Sequence, residues 1–148
     1  MTVALLDTNV LASGFVGQAI LESTPGELLR SWRRGAFRLV ISEHILTELQ
    51  RTFQLPYFSQ RLAEADKAEA LALLLSEGLV VEPAFVVPGV ATHSEDDPIL
   101  AAAASARADY LVTGDKQLQL VGSYQGVSIV SPKQFLELLL GDQPTDPS

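Results

Sequence analysis

Short strand-like runs, most of them separated by helix-length stretches with their own start or stop signals, constrain this chain more than any other feature. The runs are Val3–Leu6, Phe37–Ile41, Leu79–Glu82, Asp109–Thr113 and Val127–Val130. A run of four or five residues with little polar alternation reads as a strand covered on both faces. A first helix is expected from near Asn9 or Val10 to Ile20. Thr24-Pro25-Gly26-Glu27 opens a second, with Thr24 as N-cap, Pro25 at the first helical position and Glu27 closing a capping box. Leu28, Leu29 and Trp32 give it a buried stripe, and Gly35 ends it. The stripe assigns Trp32 to the core and not to a stacking platform for a base. Ser42 caps Glu43–Phe53. Ser59 caps a longer helix through Glu77, with Leu62, Ala65, Leu71, Leu74 and Leu75 apolar and Gly78 as its stop. A loop covers 83–95, and Asp96–Ala108 forms an acid-opened helix. Ser131-Pro132 starts the last helix, with Leu136, Leu139 and Leu140 facing inward. Strands alternating with helices imply a single-domain, three-layer α/β/α fold over residues 1–140, with a mainly parallel sheet of about five strands. Residues 141–148 read as a disordered tail.

Right-handed crossovers place the carboxyl ends of parallel strands on one edge of the sheet. Four acids fall at that edge. Asp7 follows Val3–Leu6, and Glu48 lies in the first turns of the helix after Phe37–Ile41. Asp97 opens the alanine-rich helix, and Asp115 follows the run that ends at Thr113-Gly114. Taken singly, each is more simply a turn, a cap or a surface residue. Taken together at one sheet edge, four carboxylates repel one another unless a cation lies between them. Hard oxygen donors of this kind suit Mg²⁺ or Mn²⁺. A divalent ion can activate water and neutralise phosphate oxygens, which phosphodiester hydrolysis demands.

Composition narrows the alternatives. The 148-residue chain is 47% hydrophobic, enough for a real core, and has no cysteine, which removes disulfides and thiolate metal sites. It reads as a soluble cytoplasmic protein without a signal peptide or membrane span. Its formal charge of −8 argues against a broad basic platform for nucleic acid. A local one remains open: Arg30, Arg33, Arg34, Arg38, Arg51 and Arg61 all precede residue 62, and Lys116 sits beside Asp115. These basic groups are candidate contacts to RNA phosphate or to an acidic partner. His44, in a helix first turn, and His93, in a loop, have no zinc-like spacing.

In order along the chain, Asp7-Thr8-Asn9-Val10-Leu11, Ile41-Ser42 with Thr47-Glu48-Leu49, Asp96-Asp97-Pro98-Ile99-Leu100-Ala101 and Leu111-Val112-Thr113-Gly114-Asp115 resemble the motifs of PIN-domain ribonucleases. The likeness spans roughly residues 3 to 131 and is nearest to the toxin components of bacterial toxin–antitoxin pairs, the VapC-like group. The resemblance implies an endoribonuclease dependent on one or two Mg²⁺ or Mn²⁺ ions. Asp7, Glu48, Asp97 and Asp115 would be its catalytic acids and metal ligands, supported by Asn9, Asp96 and Thr113. It also implies an RNA substrate, an antitoxin partner and a homodimer. Two other readings stand beside it. A haloacid-dehalogenase-type phosphate hydrolase would need a second Asp two residues after Asp7, where Asn9 stands. A non-catalytic protein-binding α/β module would not need all four acids.

Overall fold

The computed structural model describes residues 1–18, 20, 22–82 and 97–141. Among these, six strands and eight helices follow in the order β1 (Val3–Leu6), α1 (Thr8–Gly17), α2 (Thr24–Arg33), β2 (Arg38–Ile41), α3 (Glu43–Phe53), α4 (Pro56–Ser59), α5 (Glu64–Glu77), β3 (Leu79–Val80), α6 (Asp97–Ser105), β4 (Tyr110–Val112), α7 (Lys116–Val121), β5 (Ser123–Tyr124), β6 (Val127–Val130) and α8 (Pro132–Gly141). The strands make one sheet in the order β3-β2-β1-β4-β6-β5. Every pairing is parallel except β5 with β6.

The central strands are buried at consecutive positions. Ala4, Leu5 and Leu6 in β1, Leu39 to Ile41 in β2 and Leu111 and Val112 in β4 are all inaccessible to solvent. Consecutive burial without alternation means that both faces of the sheet are covered. Each fully buried leucine contributes on the order of 1.5–3 kcal/mol. The strands whose ends carry Asp7 and Asp115 are therefore firmly anchored. Trp32 is buried with Leu28 and Leu29, as its spacing requires.

The order in which strands are added to the sheet reverses between β1 and β4. From β1 the chain builds β2 and β3 on one side; β4, β6 and β5 follow on the other. In an open α/β sheet this switch point leaves a crevice beyond the carboxyl ends of the two strands.

α1 and α2 cross with unusually close backbones. A Cβ on Gly26 would lie 2.2 Å from the carbonyl oxygen of Gly17. Arg30 of α2 reaches across the crossing to donate to the carbonyls of Gly17 and Gln18, satisfying groups that the end of α1 leaves open.

Several local expectations change. Ser23, one residue earlier than Thr24, caps α2 by accepting from the Gly26 N–H. Glu27 closes no capping box and pairs instead with Arg30 and Arg34. Ser59 caps nothing; it ends the short helix α4, donates to the Phe53 carbonyl and accepts from the buried ammonium of Lys67. α5 begins only at Glu64, and on it Ala65 and Leu75 face solvent while Lys67, Ala70 and Leu74 are buried. On α8, Phe135 and Leu139 point inward and Leu140 does not. α4, α7 and β5 are additional elements. The β5–β6 hairpin turns at Gln125-Gly126, both at positive φ, which Gly126 adopts freely. The expected loop at 83–95, with His93, and the tail from 142 lie outside the described residues. No described helix is long and apolar enough to cross a membrane.

Candidate active site

Asp7 is the residue on which the crevice is built. Its backbone extends β1 by donating to the Val112 carbonyl of β4 at 2.9 Å. Its side chain then caps α1, with Oδ1 accepting from the Thr8 N–H at 2.7 Å. Oδ2 accepts from the Thr113 hydroxyl at 2.8 Å. Thr113 is fully buried. The same hydroxyl accepts from the Asp115 N–H at 3.1 Å, so one side chain ties the end of β1 to the loop after β4. Asp115 in turn caps α7, its Oδ1 accepting from the Gln117 and Leu118 N–H groups. Gln119 locks the loop from the other side by donating to the Thr113 carbonyl at 2.7 Å.

A cleft of about 810 Å³ opens over these groups, and Asp7, Asn9, His44, Glu48, Arg51 and Asp115 are among its walls. α3 supplies three of them on successive turns: His44, Glu48 and Arg51. α3 is aimed there by Ser42, whose hydroxyl accepts from the Ile45 N–H directly after β2. Ile99, in the first turn of α6, also lines the cleft, so the amino end of α6 borders it.

Electrostatics distinguish the acids. The Asp7 carboxyl is pushed above the usual aspartate range, chiefly by burial and further by the charge of Asp115; the Thr113 hydroxyl, the Thr8 N–H and His44 pull the other way. A cation beside this pair would remove the penalty that burial and like charge impose. Glu48 is differently placed: it is partly exposed and bonds Arg51 at 2.9 Å on its own helix.

The donor set is chemically suited to a hard divalent cation, because Asp7, Glu48 and Asp115 offer only oxygen. Among the described residues no three Asp, Glu or His side chains converge closely enough to hold an ion. Asp97 enters as the first residue of α6. Its side chain, and Asp96 altogether, lie outside the described residues.

The expected acids Asp7, Glu48 and Asp115 thus meet in one cleft, with Asn9 on its wall and Thr113 beneath it. Of the basic candidates, only Arg51 lines it. Lys116 is exposed at the start of α7 and is not part of the wall. Arg30 and Arg34 are held on α2 by Glu27. Arg61 stacks on Tyr57, 3.8 Å from the ring centre. Arg33 and Arg38 line a separate cavity. His44 is the residue that zinc-like spacing overlooks. It stands one helical turn before Glu48, and side chains four apart share a helix face.

Comparison with known proteins agrees with this architecture. The family model of the PIN domain matches residues 3–117. No curated protein sequence matches. Among solved structures, the crystal structure of PAE2754 from Pyrobaculum aerophilum superposes with a TM-score of 0.62 at 17% identity, over 95% of this chain and 91% of that one. At that identity the superposition speaks for the fold alone. PIN domains are generally metal-dependent nucleases that act on nucleic acids. With the family model covering most of its length and the strand-end acids gathered at the switch point, this chain belongs to the PIN domain family.

Proposed function

We propose that the protein is a divalent-metal-dependent endoribonuclease, with Asp7, Glu48, Asp97 and Asp115 as its acids and one or two Mg²⁺ or Mn²⁺ ions as cofactor. The observation that carries this reading is the unit Asp7–Thr113–Asp115. It fixes two carboxylates at the switch point of the sheet, with Glu48 across the same cleft. When bound, a divalent cation supplies a water of lowered pKa and neutralises charge on the phosphate. The chain's own residues supply placement. Thr113 holds Asp7 in one rotamer, and the cap on α7 does the same for Asp115. Preorganised groups of this kind lose little freedom when substrate binds. Arg51 is the basic side chain of the cleft and suits a phosphate oxygen flanking the scissile bond. Asn9, exposed on the wall, adds a neutral donor and acceptor. Asp96, the neighbour of Asp97 in the third motif, is assigned a supporting role and not that of a principal ligand.

The substrate is single-stranded or looped RNA, because unpaired strands can enter a carboxylate-lined cleft that a stiff duplex meets poorly. The test is cleavage of a labelled unstructured RNA by purified protein in Mn²⁺, in Mg²⁺ and in excess EDTA. Cleavage is expected only with metal. Undiminished cleavage in EDTA refutes the mechanism.

The four motifs in order also support a more specific role: the cytoplasmic toxin of a toxin–antitoxin pair, a homodimer neutralised by an antitoxin protein. Induced expression of the wild type should then arrest growth, and expression of Asp115→Asn should not. Normal growth in cells that contain the active nuclease refutes the toxin role and leaves the nuclease role standing. No observation favours the dehalogenase-type or scaffold readings.

A further inference from the structure

A second cavity, of about 450 Å³, shares no residue with the cleft of the acids. It lies where α2 ends, β2 begins and α5 passes into β3. Arg38 opens β2 while the acids lie beyond the ends of the strands, so about 10 Å of strand separates Arg38 from the acids; Val80, paired with Ile41, is at the far end of the cavity. Phe37 and Leu39 form a buried apolar floor. Arg33 and Arg38 also line the cavity, both exposed, and neither makes an ion pair among the described residues. In a chain of net charge −8, two free guanidinium groups over one cavity are a local exception.

β3 forms the open side of this cavity. Among the described residues it pairs only with β2. The Val81 N–H donates inward to the Ile41 carbonyl at 2.8 Å. Peptide groups alternate along a strand, so the N–H and C=O of Val80 turn outward, and Val80 itself is 51% exposed.

We infer that this edge binds an extended acidic segment of a protein partner, which adds alongside β3 and sets its carboxylates on Arg33 and Arg38. A peptide strand supplies donors and acceptors in alternation, as the Val80 edge requires. Phosphate oxygens only accept, so along an RNA backbone only the ribose hydroxyls can serve the Val80 carbonyl. Guanidinium forks match carboxylates in bidentate geometry. Glu77 at the rim limits the site to a modest positive charge and disfavours a dense polyanion.

The inference stands apart from the nuclease reading, and its test does not involve cleavage. Three probes are titrated into isotope-labelled full-length protein: a blocked hexapeptide of alternating glutamate and valine, its lysine–valine counterpart, and hexauridylate. Amide shifts report where each one binds. The glutamate peptide should shift Arg33, Gly35, Arg38 and Val80. Arg33→Glu combined with Arg38→Glu should weaken it at least about tenfold and transfer preference to the lysine peptide. The milder pair Arg33→Gln and Arg38→Gln should weaken the glutamate peptide without that transfer, and the spectra themselves show whether each variant is folded. No shift at millimolar peptide overturns the inference, as do shifts confined to other residues or equal binding of the two peptides. Tighter binding of hexauridylate at the same amides also overturns it and makes this a nucleic-acid site.

Discussion

Replacing Thr113 by Val tests the connection between the two strand ends while keeping the shape of the side chain. The substitution removes one donor and one acceptor from a site with no solvent access. Asp7 Oδ2 loses a hydrogen bond made at 2.8 Å, and the Asp115 N–H loses its acceptor at 3.1 Å. A hydrogen bond to a charged group contributes about 1.5–3 kcal/mol, and an unsatisfied buried donor costs about 1–3 kcal/mol. Local relaxation recovers part of this, so a net loss of about 3 kcal/mol is expected at neutral pH. For a domain of this size that corresponds to a fall in Tm of roughly 6–12 °C. The loss should also depend on pH. Asp7 has a raised pKa in the folded protein, so its favourable contribution is complete below about 3.9, the unfolded value, and is lost as pH rises through the folded one. Without the hydroxyl the folded pKa rises further, so the fall in stability extends to higher pH. The difference between variant and wild type therefore grows from acid towards neutral pH. The assay is urea unfolding in EDTA at a series of pH values between 4 and 8. A difference that is small, below about 0.5 kcal/mol, or constant across that range refutes the account of Thr113 as the group that holds the Asp7 carboxylate.

Further outcomes follow from the same geometry. Asp7→Asn, Glu48→Gln, Asp97→Asn and Asp115→Asn should each slow RNA cleavage by at least ~10²-fold in steady-state assays, equivalent to about 2.7 kcal/mol of transition-state stabilisation, and Asp96→Asn by much less. If Asp96 is the critical acid and Asp97 is dispensable, the register of the third motif is off by one. Arg51→Gln should weaken RNA binding and flatten its dependence on salt without moving the Tm, as fluorescence anisotropy across salt concentrations would report; an unchanged slope removes Arg51 from the phosphate path. Mn²⁺ should raise the Tm of the wild type more than that of Asp115→Asn, because an ion that binds only the native state stabilises by mass action, and equal shifts would dissolve the shared site. Gly26→Ala should destabilise by at least about 2 kcal/mol in thermal or urea melts, because its Cβ meets the Gly17 carbonyl at 2.2 Å and backbone cannot step aside as a flexible side chain can. A neutral Gly26→Ala would mean that the crossing of α1 and α2 is looser than drawn.

The sequence carried the layered plan because that plan rests on signals local to each element. Ser42 caps α3 through its hydroxyl, Gly78 ends α5 where a Cβ would meet the Leu74 carbonyl at 2.5 Å, and the consecutive apolar positions of β1 and β4 are buried on both faces. Signals failed where two residues compete for one role. Ser23 and Thr24 are both good caps, and only tertiary packing against the end of α1 selects Ser23. Ser59 resembled a cap but serves the buried Lys67. β5 is two residues long and has no apolar periodicity to announce it; its hairpin is set by the positive-φ pair Gln125-Gly126. At the cleft, Asp7 and Asp115 are legible because each follows a strand, and Glu48 because it lies in the first turns of the helix after one. His44 was less so, since its spacing to Glu48 becomes meaningful only when α3 is known to turn that face towards β1. The separation of the arginines into paired, stacked and cleft-lining groups depends on distances that no sequence pattern encodes.

Asp7 and Asp115 each begin a helix as well as facing the cleft, and this double duty matters for how inactive forms of the protein are made and interpreted. Alanine at either position removes a charge from the cleft and also strips the first turn of α1 or α7 of its cap, a loss of about 0.5–2 kcal/mol each. An alanine variant that fails in a cell would therefore not separate a silent enzyme from one that the cell has degraded. Asparagine keeps the capping oxygen and discards the charge. On the proposed nuclease reading, the amide is the substitution expected to leave the chain folded and inactive, and it is the form to use wherever a bound partner or substrate must be captured without being destroyed.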